Sequence, residues 1–387
     1  MGDRKARVCE EIDRMEGRLR EVSQDLFDHP ELKFEEVRAA GLLADALREA
    51  GFAVDHGVAG LETAIRAVHP ETSDGPTVAI LGEYDALPGI GHACGHNLIA
   101  AAGLGASLAV GAIKSDLPGK LVFFGTPAEE GGGGKVTMID AGLFEGVDAA
   151  MMFHPAPYSV VGQGSLAITE VKLEFHGKPA HAAAWPEKGI NALDAAIQTF
   201  NGINALREHI QDGARIHGII TNGGLKPNIV PEYAAAEFYV RAPETDYRNE
   251  LLVKLRRCAE GAALATGARL EYSEVGHAYK AMRPNRPLID AFVANLDALD
   301  WPLDEPDEAL GSTDMGDVTQ AVPGMHPYLA ICDLGVVGHT REFAEASGSE
   351  RGAKAMLTAA KALAMTTVDV LTTPDLVDRM WATFRSS

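Results

Sequence analysis

The donor chemistry of this chain is concentrated in a few short segments. Cys94 and His96 lie in His92-Ala93-Cys94-Gly95-His96-Asn97, and Glu129 and Glu130 lie in Thr126-Pro127-Ala128-Glu129-Glu130, ahead of the glycine run Gly131 to Gly134. His154 closes the apolar run Ala149-Ala150-Met151-Met152-Phe153, and His339 sits in Val336-Val337-Gly338-His339-Thr340. A thiol and an imidazole flanking a glycine can close tightly around an ion. The same pair also reads as a buried thiol beside a helix-capping histidine. Adjacent glutamates before a glycine run are poor surface decoration, because the glycines cost folding entropy. One carboxylate can bind a metal while its neighbour, pointing elsewhere, takes a proton from water. The plainer reading is a charged, flexible loop. Each histidine alone reads as a buried structural residue. Together the segments supply nitrogen, oxygen and sulfur donors, a set that suits zinc or manganese.

Spacing dismisses one other chemistry and weakens a second. Gly134-Lys135 is followed by Val136 and lacks the first glycine of a phosphate-binding loop. Gly162-Gln163-Gly164-Ser165 lacks the glycine that a serine nucleophile elbow requires.

The elements that must position these residues follow from periodicity. Val8, Ile12, Met15, Leu19, Val22 and Leu26 recur at steps of three and four, an amphipathic helix stopped by His29-Pro30. A second helix is expected from about Glu35 to Ala50, with Gly51 as a left-handed cap. The short apolar runs Thr77 to Leu81 and Lys120 to Phe124 read as strands separated by an alanine-rich helix, Leu98 to Ile113. This first part reads as α/β, a central sheet covered by helices. In such sheets ligands bind where strands end, and the donor segments follow those strands.

Near Ile168 the pattern changes. Val171, Leu173 and Phe175 alternate with charged residues, giving a strand with one wet face. A helix over Ile190 to Ile203, strands at Arg215 to Thr221 and Tyr233 to Arg241, a helix at Asp246 to Ala265 and a strand at Ala268 to Val275 follow. The order β-α-β-β-α-β is a ferredoxin-like unit. The expected organisation is a catalytic metal-binding α/β domain split into residues 1–167 and 283–387, around an inserted α+β domain at 168–282.

Composition narrows the class. At 387 residues two domains are expected, and 46% hydrophobic against 23% charged residues is a folded, globular balance. Lys plus Arg number 34 against 55 Asp plus Glu, and a net charge of -21 repels nucleic acid and anionic membranes. Neither is an expected partner. Cys9, Cys94, Cys258 and Cys332 are scattered rather than patterned as a disulfide framework. No signal peptide is recognised behind the charged start, and no uninterrupted apolar run approaches bilayer length. A cytoplasmic location is expected.

His29-Pro30-Glu31-Leu32 with Phe34-Glu35-Glu36, Asp85-Ala86-Leu87-Pro88, the Cys94 and His96 segment and Pro127-Ala128-Glu129-Glu130 occur in order along nearly the whole chain. This set resembles the dinuclear amidohydrolases of metallopeptidase family twenty, which includes aminoacylases, auxin-conjugate hydrolases, aminobenzoyl-glutamate hydrolases and dipeptidases. The resemblance implies that Cys94, His96, Glu130, His154 and His339 hold two divalent ions, zinc or manganese, and that Glu129 is the general base. It implies a zinc-peptidase-like catalytic domain interrupted by a ferredoxin-like dimerisation, or lid, domain. Asn97 and Gly311-Ser312-Thr313-Asp314-Met315-Gly316-Asp317 are most similar to the branch of cytosolic dipeptidases acting on basic residues and of aminobenzoyl-glutamate hydrolases.

On the same resemblance, Asp85 orients a metal-binding histidine. His181, in Gly177-Lys178-Pro179-Ala180-His181-Ala182, matches the histidine that reaches the neighbouring subunit's site and polarises the scissile carbonyl. Asn228, Arg241, Thr313 and Asp314 are expected to meet substrate, Arg241 by a charge-assisted fork to a carboxylate. The implied activity is hydrolysis of an amide bond in a dipeptide or N-acyl amino acid by metal-activated water, in a homodimer. Two alternatives stay open: a metal-dependent deaminase or aryl-amine hydrolase using the same residues, and a non-catalytic binding protein on this fold.

Overall fold

The computed structural model describes residues 2–305 and 310–386. The chain divides into two compact units: the first takes Met1–Gly164, Met282–Leu310 and Asp314–Ser387, the second Ser165–Ala281 with Gly311–Thr313. The second unit begins at Ser165, where 168 was expected, and its first strand starts at Ala167.

In chain order the first unit begins with helices α1 (Asp3–Asp28) and α2 (Val37–Glu49), then strands β1 (Ala53–His56), β2 (Ile65–Val68) and β3 (Thr77–Glu83). Helix α3 (His96–Ala112), strand β4 (Lys120–Thr126), helix α4 (Gly134–Asp140) and strands β5 (Ala149–Met151) and β6 (His154–Ala156) follow. The apolar stripe of α1 buries Val8, Ile12, Leu19, Val22 and Leu26, as its three-and-four spacing requires. Helix α3 is apolar on every face and is buried from His96 through Val110. Phe123, Phe124 and Phe153 are fully buried around it, each contributing about 1.5–3 kcal/mol relative to exposure.

The second unit runs β7 (Ala167–His176), α5 (Ala192–Leu206), β8 (Arg215–Asn222), β9 (Tyr233–Ala242), α6 (Thr245–Thr266) and β10 (Arg269–Tyr279). Its four strands pair antiparallel in the order β10-β7-β9-β8, the ferredoxin-like arrangement read from the sequence. Val171, Leu173 and Phe175 point into a separate core with α5 and α6.

The first unit then resumes with α7 (Arg286–Ala298), α8 (Met315–Ala321), strands β11 (Gly324–Met325) and β12 (Tyr328–Ala330), α9 (Arg341–Ser347), α10 (Glu350–Thr372) and α11 (Pro374–Ser386). Its six-stranded sheet has the order β1-β2-β4-β3-β5-β11, with β3, β4, β5 and β11 mutually parallel. Helix α10 is long and, on average, apolar enough to cross a membrane by length and composition, although Lys354, Lys361 and Asp369 interrupt it, so it is not the uninterrupted apolar run whose absence was expected. That apolar window is 72% buried, as befits a core helix.

Candidate active site and metal centre

Strand β3 is flanked by β4 on one side and β5 on the other, so successive crossovers leave it in opposite directions. That reversal opens a crevice at the carboxyl ends of parallel strands. Glu83 is the last residue of β3, with Asp85 two residues beyond. Glu129 and Glu130 follow β4, and His154 begins β6 just past β5. The expected strand ending in His154 is in fact two pieces, and His154 lies opposite Tyr328 in the parallel pair of β6 with β12. His96 is the first residue of α3, and His339 precedes α9.

The backbone is bent to bring these side chains together. Gly95 has φ +76, and a Cβ there would stand 2.4 Å from Pro155 Cγ, so only glycine lets Cys94 and His96 close in. Ala128, just before the glutamate pair, has φ 58, and His339 has φ 64. Left-handed conformations in such residues cost energy and gather at functional sites. His339 is held by its N–H, which donates to Ala93 O at 3.1 Å.

Three donor groups result, two of them joined through the third. Cys94, Glu130 and His339 place one ligand atom each within 4.8 Å of one another, as do Glu83, His96 and His154; His96, Glu129 and Glu130 form a third set that links them. Cys94 Sγ lies 2.5 Å from Glu130 Oε1, and His339 Nε2 lies 3.7 Å from the same oxygen. Thus every expected ligand (Cys94, His96, Glu130, His154 and His339) falls in one cluster, with Glu129 inside it.

Asp85 holds the cluster in register. Its Oδ1 accepts from His96 Nδ1–H at 3.0 Å, and its Oδ2 accepts the N–H of Glu130 at 2.9 Å. His96 Nδ1 also lies 2.8 Å from the Asp85 carbonyl oxygen. His154 Nδ1–H donates to Pro155 O at 2.7 Å. In both rings Nδ1 therefore carries a proton, and Nε2 turns toward the cluster.

The electrostatics call for added positive charge. Burial, reinforced by Glu130, pushes the Cys94 thiol well above its ordinary pKa. Burial and then Glu83, Glu130 and Asp314 push Glu129 upward as well. Burial opposes charge on His96, but Asp85 and Glu83 outweigh it and raise its pKa. Burial lowers His154 to about 4, leaving it neutral. Buried carboxylates at this density are costly unless cations pair with them. A divalent cation would ionise the thiol outright. His96 Nε2 and Glu83 Oε2 are both buried without a hydrogen-bond partner. The donor set, its charge and these two orphaned atoms fit divalent metal ions.

Several residues here escaped the sequence reading. Glu83 continues a strand that seemed to end at Leu81. Lys135, noted only in rejecting a phosphate loop, is fully buried and makes ion pairs with Glu83 and, at 2.7 Å, with Asp314. His326 is buried with its ring 5.4 Å from that of His154. A charged residue directly after a glycine run at a strand end was the available signal for Lys135.

Asp314 is a correction. Expected to meet substrate, it is fully buried, and its oxygens accept from Lys135 Nζ at 2.7 Å and Lys135 N at 3.1 Å. It anchors the start of α4 instead, since both its oxygens are already engaged.

The second unit carries the other expected residues. His181 is exposed, and the N–H groups of Ala183 and Ala184 point at its Nδ1 from 3.3 and 3.2 Å. Nδ1 is therefore the acceptor, and Nε2 carries the proton. Asn228 lies beside it, its carbonyl accepting from Ala182 N–H at 3.1 Å. Arg241, on β9, donates from Nη1 to Ser312 Oγ at 3.2 Å while its Nε is buried without a partner. Thr313 is buried beside that serine in the chain.

Comparison with known proteins follows the same lines. Residues 79–362 match peptidase family M20/M25/M40. An Xaa-Arg dipeptidase of Mus musculus is 41% identical over 398 residues, spanning 98% of this chain and 92% of that protein. One of the two p-aminobenzoyl-glutamate hydrolase subunits of Escherichia coli K12 is 37% identical over 306 residues, spanning 74% of this chain and 63% of that one. A dinuclear metal-binding peptidase from Bacillus subtilis shares the fold, with a TM-score of 0.72 over 92% of this chain and 99% of its own, at 23% identity.

Proposed function

The chain belongs to peptidase family M20/M25/M40, and from that premise we propose that it cleaves the amide bond of a small dipeptide at a dinuclear metal centre. It is a metal-dependent hydrolase of C–N bonds in peptide-like substrates. The observation that carries the reading is the position of Glu129 within the overlapping donor groups, next to Glu130. A passive binding protein has no need of that pairing, and the amide reading over a deaminase is supported by the dipeptidase relatives.

Cys94, His96, Glu130, His154 and His339 would hold the ions, zinc or manganese by their mixed donors. When bound, the ions supply a Lewis-acid centre that makes water nucleophilic and polarises the scissile carbonyl. Glu129 takes the proton from the attacking water and returns it to the leaving amine. His181 offers its Nε2–H to the carbonyl oxygen as charge builds there.

The substrate is read as a dipeptide ending in arginine, supported by the dipeptidase relative; aminobenzoyl-glutamate is the second reading, supported by the Escherichia coli relative. Both carry a carboxylate that the Arg241 guanidinium suits. The assembly is read as a homodimer in which His181 serves the neighbouring subunit. Strand β8 supports this, since it is a sheet edge with Ile219 64% and Ile220 41% exposed, surface that a paired edge would cover. The free thiols Cys9, Cys94, Cys258 and Cys332 suit the reducing cytoplasm.

The test is hydrolysis of a library of dipeptides, N-acyl amino acids and aryl amines by zinc- or manganese-loaded protein. Cleavage of Xaa-Arg dipeptides is expected to lead. Turnover confined to aryl amines or aminated rings would overturn the amide reading.

A further inference from the structure

We propose that Glu83 is an additional carboxylate ligand of the metal centre, completing the half formed by His96 and His154. The proposal rests on reading the cluster as a dinuclear centre, and goes beyond it by adding a ligand at the end of the central strand. Glu83 is fully buried, and its two oxygens have different fates. Oε1 takes the ammonium of Lys135, whose own position is set by Asp314. Oε2 has no hydrogen-bond partner. A carboxylate present only to neutralise Lys135 would leave that second oxygen buried and unsatisfied, a costly arrangement that folded proteins avoid.

The orphaned oxygen faces a second orphan. His96 Nε2 lies 3.4 Å from Glu83 Oε2, and it too has no hydrogen-bond partner, Nδ1 being the ring atom that bonds to Asp85. At 3.4 Å the two atoms are too far apart for a good N–H···O bond, which spans about 2.7–3.2 Å. They stand at the separation of two ligands on one ion. With metal–ligand bonds of about 2.0–2.2 Å and tetrahedral angles, neighbouring donor atoms lie about 3.4 Å apart. A donor atom of His154 lies within 4.8 Å of both. Lys135 fixes Glu83 by one oxygen and so presents the other as a single, aimed donor.

The first test is a crystal structure of the zinc-loaded wild-type protein with the ions located by anomalous scattering. The expected result is Glu83 Oε2 at about 2.0–2.2 Å from the ion that His96 and His154 hold. Two bound ions with Glu83 Oε2 beyond about 3 Å from both would overturn this proposal alone. Absence of any ion in the cluster would overturn the metal-centre reading and this proposal together. In solution, X-ray absorption of the cobalt-loaded protein counts donors. Glu83→Gln is expected to lose one oxygen donor and to bind one of two ions at least about tenfold more weakly. A partner that only hydrogen-bonds to a ligand would weaken affinity without changing the donor count, and an unchanged count would rule Glu83 out.

Discussion

Asp85 Oδ2 accepts the backbone N–H of Glu130 at 2.9 Å, so the carboxylate that orients His96 also sets the register of the loop carrying the two glutamates. One side chain thus couples a ligand on α3 to a ligand after β4. Asp85→Ala removes both contacts and is expected to weaken metal binding by about 10–100-fold. Asp85→Asn should fall between, because an amide turned to accept from His96 must point its NH2 at the Glu130 N–H. Competition with a chromogenic chelator measures both variants. Wild-type affinity in the alanine variant would remove Asp85 from this role.

Glu129→Gln keeps the shape of the side chain but cannot take a proton. Metal content and thermal midpoint should stay near wild type while kcat falls on the order of a hundredfold or more. Near-normal turnover in a metal-replete variant would assign the proton transfer elsewhere.

The glutamate loop is closed by Gly134, where a Cβ would stand 1.9 Å from Pro127 O. Gly134→Ala must push the loop open, at a cost of about 1–3 kcal/mol, and should lower both the thermal midpoint and metal occupancy. Gly261→Ala is the contrast, in α6 with nothing within 4 Å of the added atom. It should gain about 0.5–1 kcal/mol from helix propensity and leave metal binding alone. Differential scanning fluorimetry with metal analysis compares the two, and a Gly134→Ala protein as stable as wild type would show that the loop can relax freely.

Shared active sites are tested by mixing. His181→Ala and Glu129→Gln are each expected to be inactive, and a heterodimer of the two has one site with both residues intact if His181 acts across the interface. Random exchange should then restore roughly a quarter of wild-type activity. No recovery despite demonstrated exchange would place the action of His181 within its own chain, or nowhere.

Local periodicity determined much of this protein before any tertiary contact. The three-and-four stripe from Val8 to Leu26 became α1, and the alternation at Val171, Leu173 and Phe175 became β7 with its apolar side on the second core. These patterns are legible because burial of one face is a property of neighbouring residues. The ligands were legible for a different reason: Cys94, His96, Glu129 and Glu130 lie beside glycines and prolines that have little purpose except to bend the chain around something. What only the folded chain decided is which distant groups share a buried charge. Lys135 meets Glu83 across 52 residues and Asp314 across 179, and no spacing rule spans such gaps. The strand order that puts β3 between β4 and β5 brings Glu83 to the crevice. Burial then makes a carboxylate oxygen without a partner too costly to leave without one.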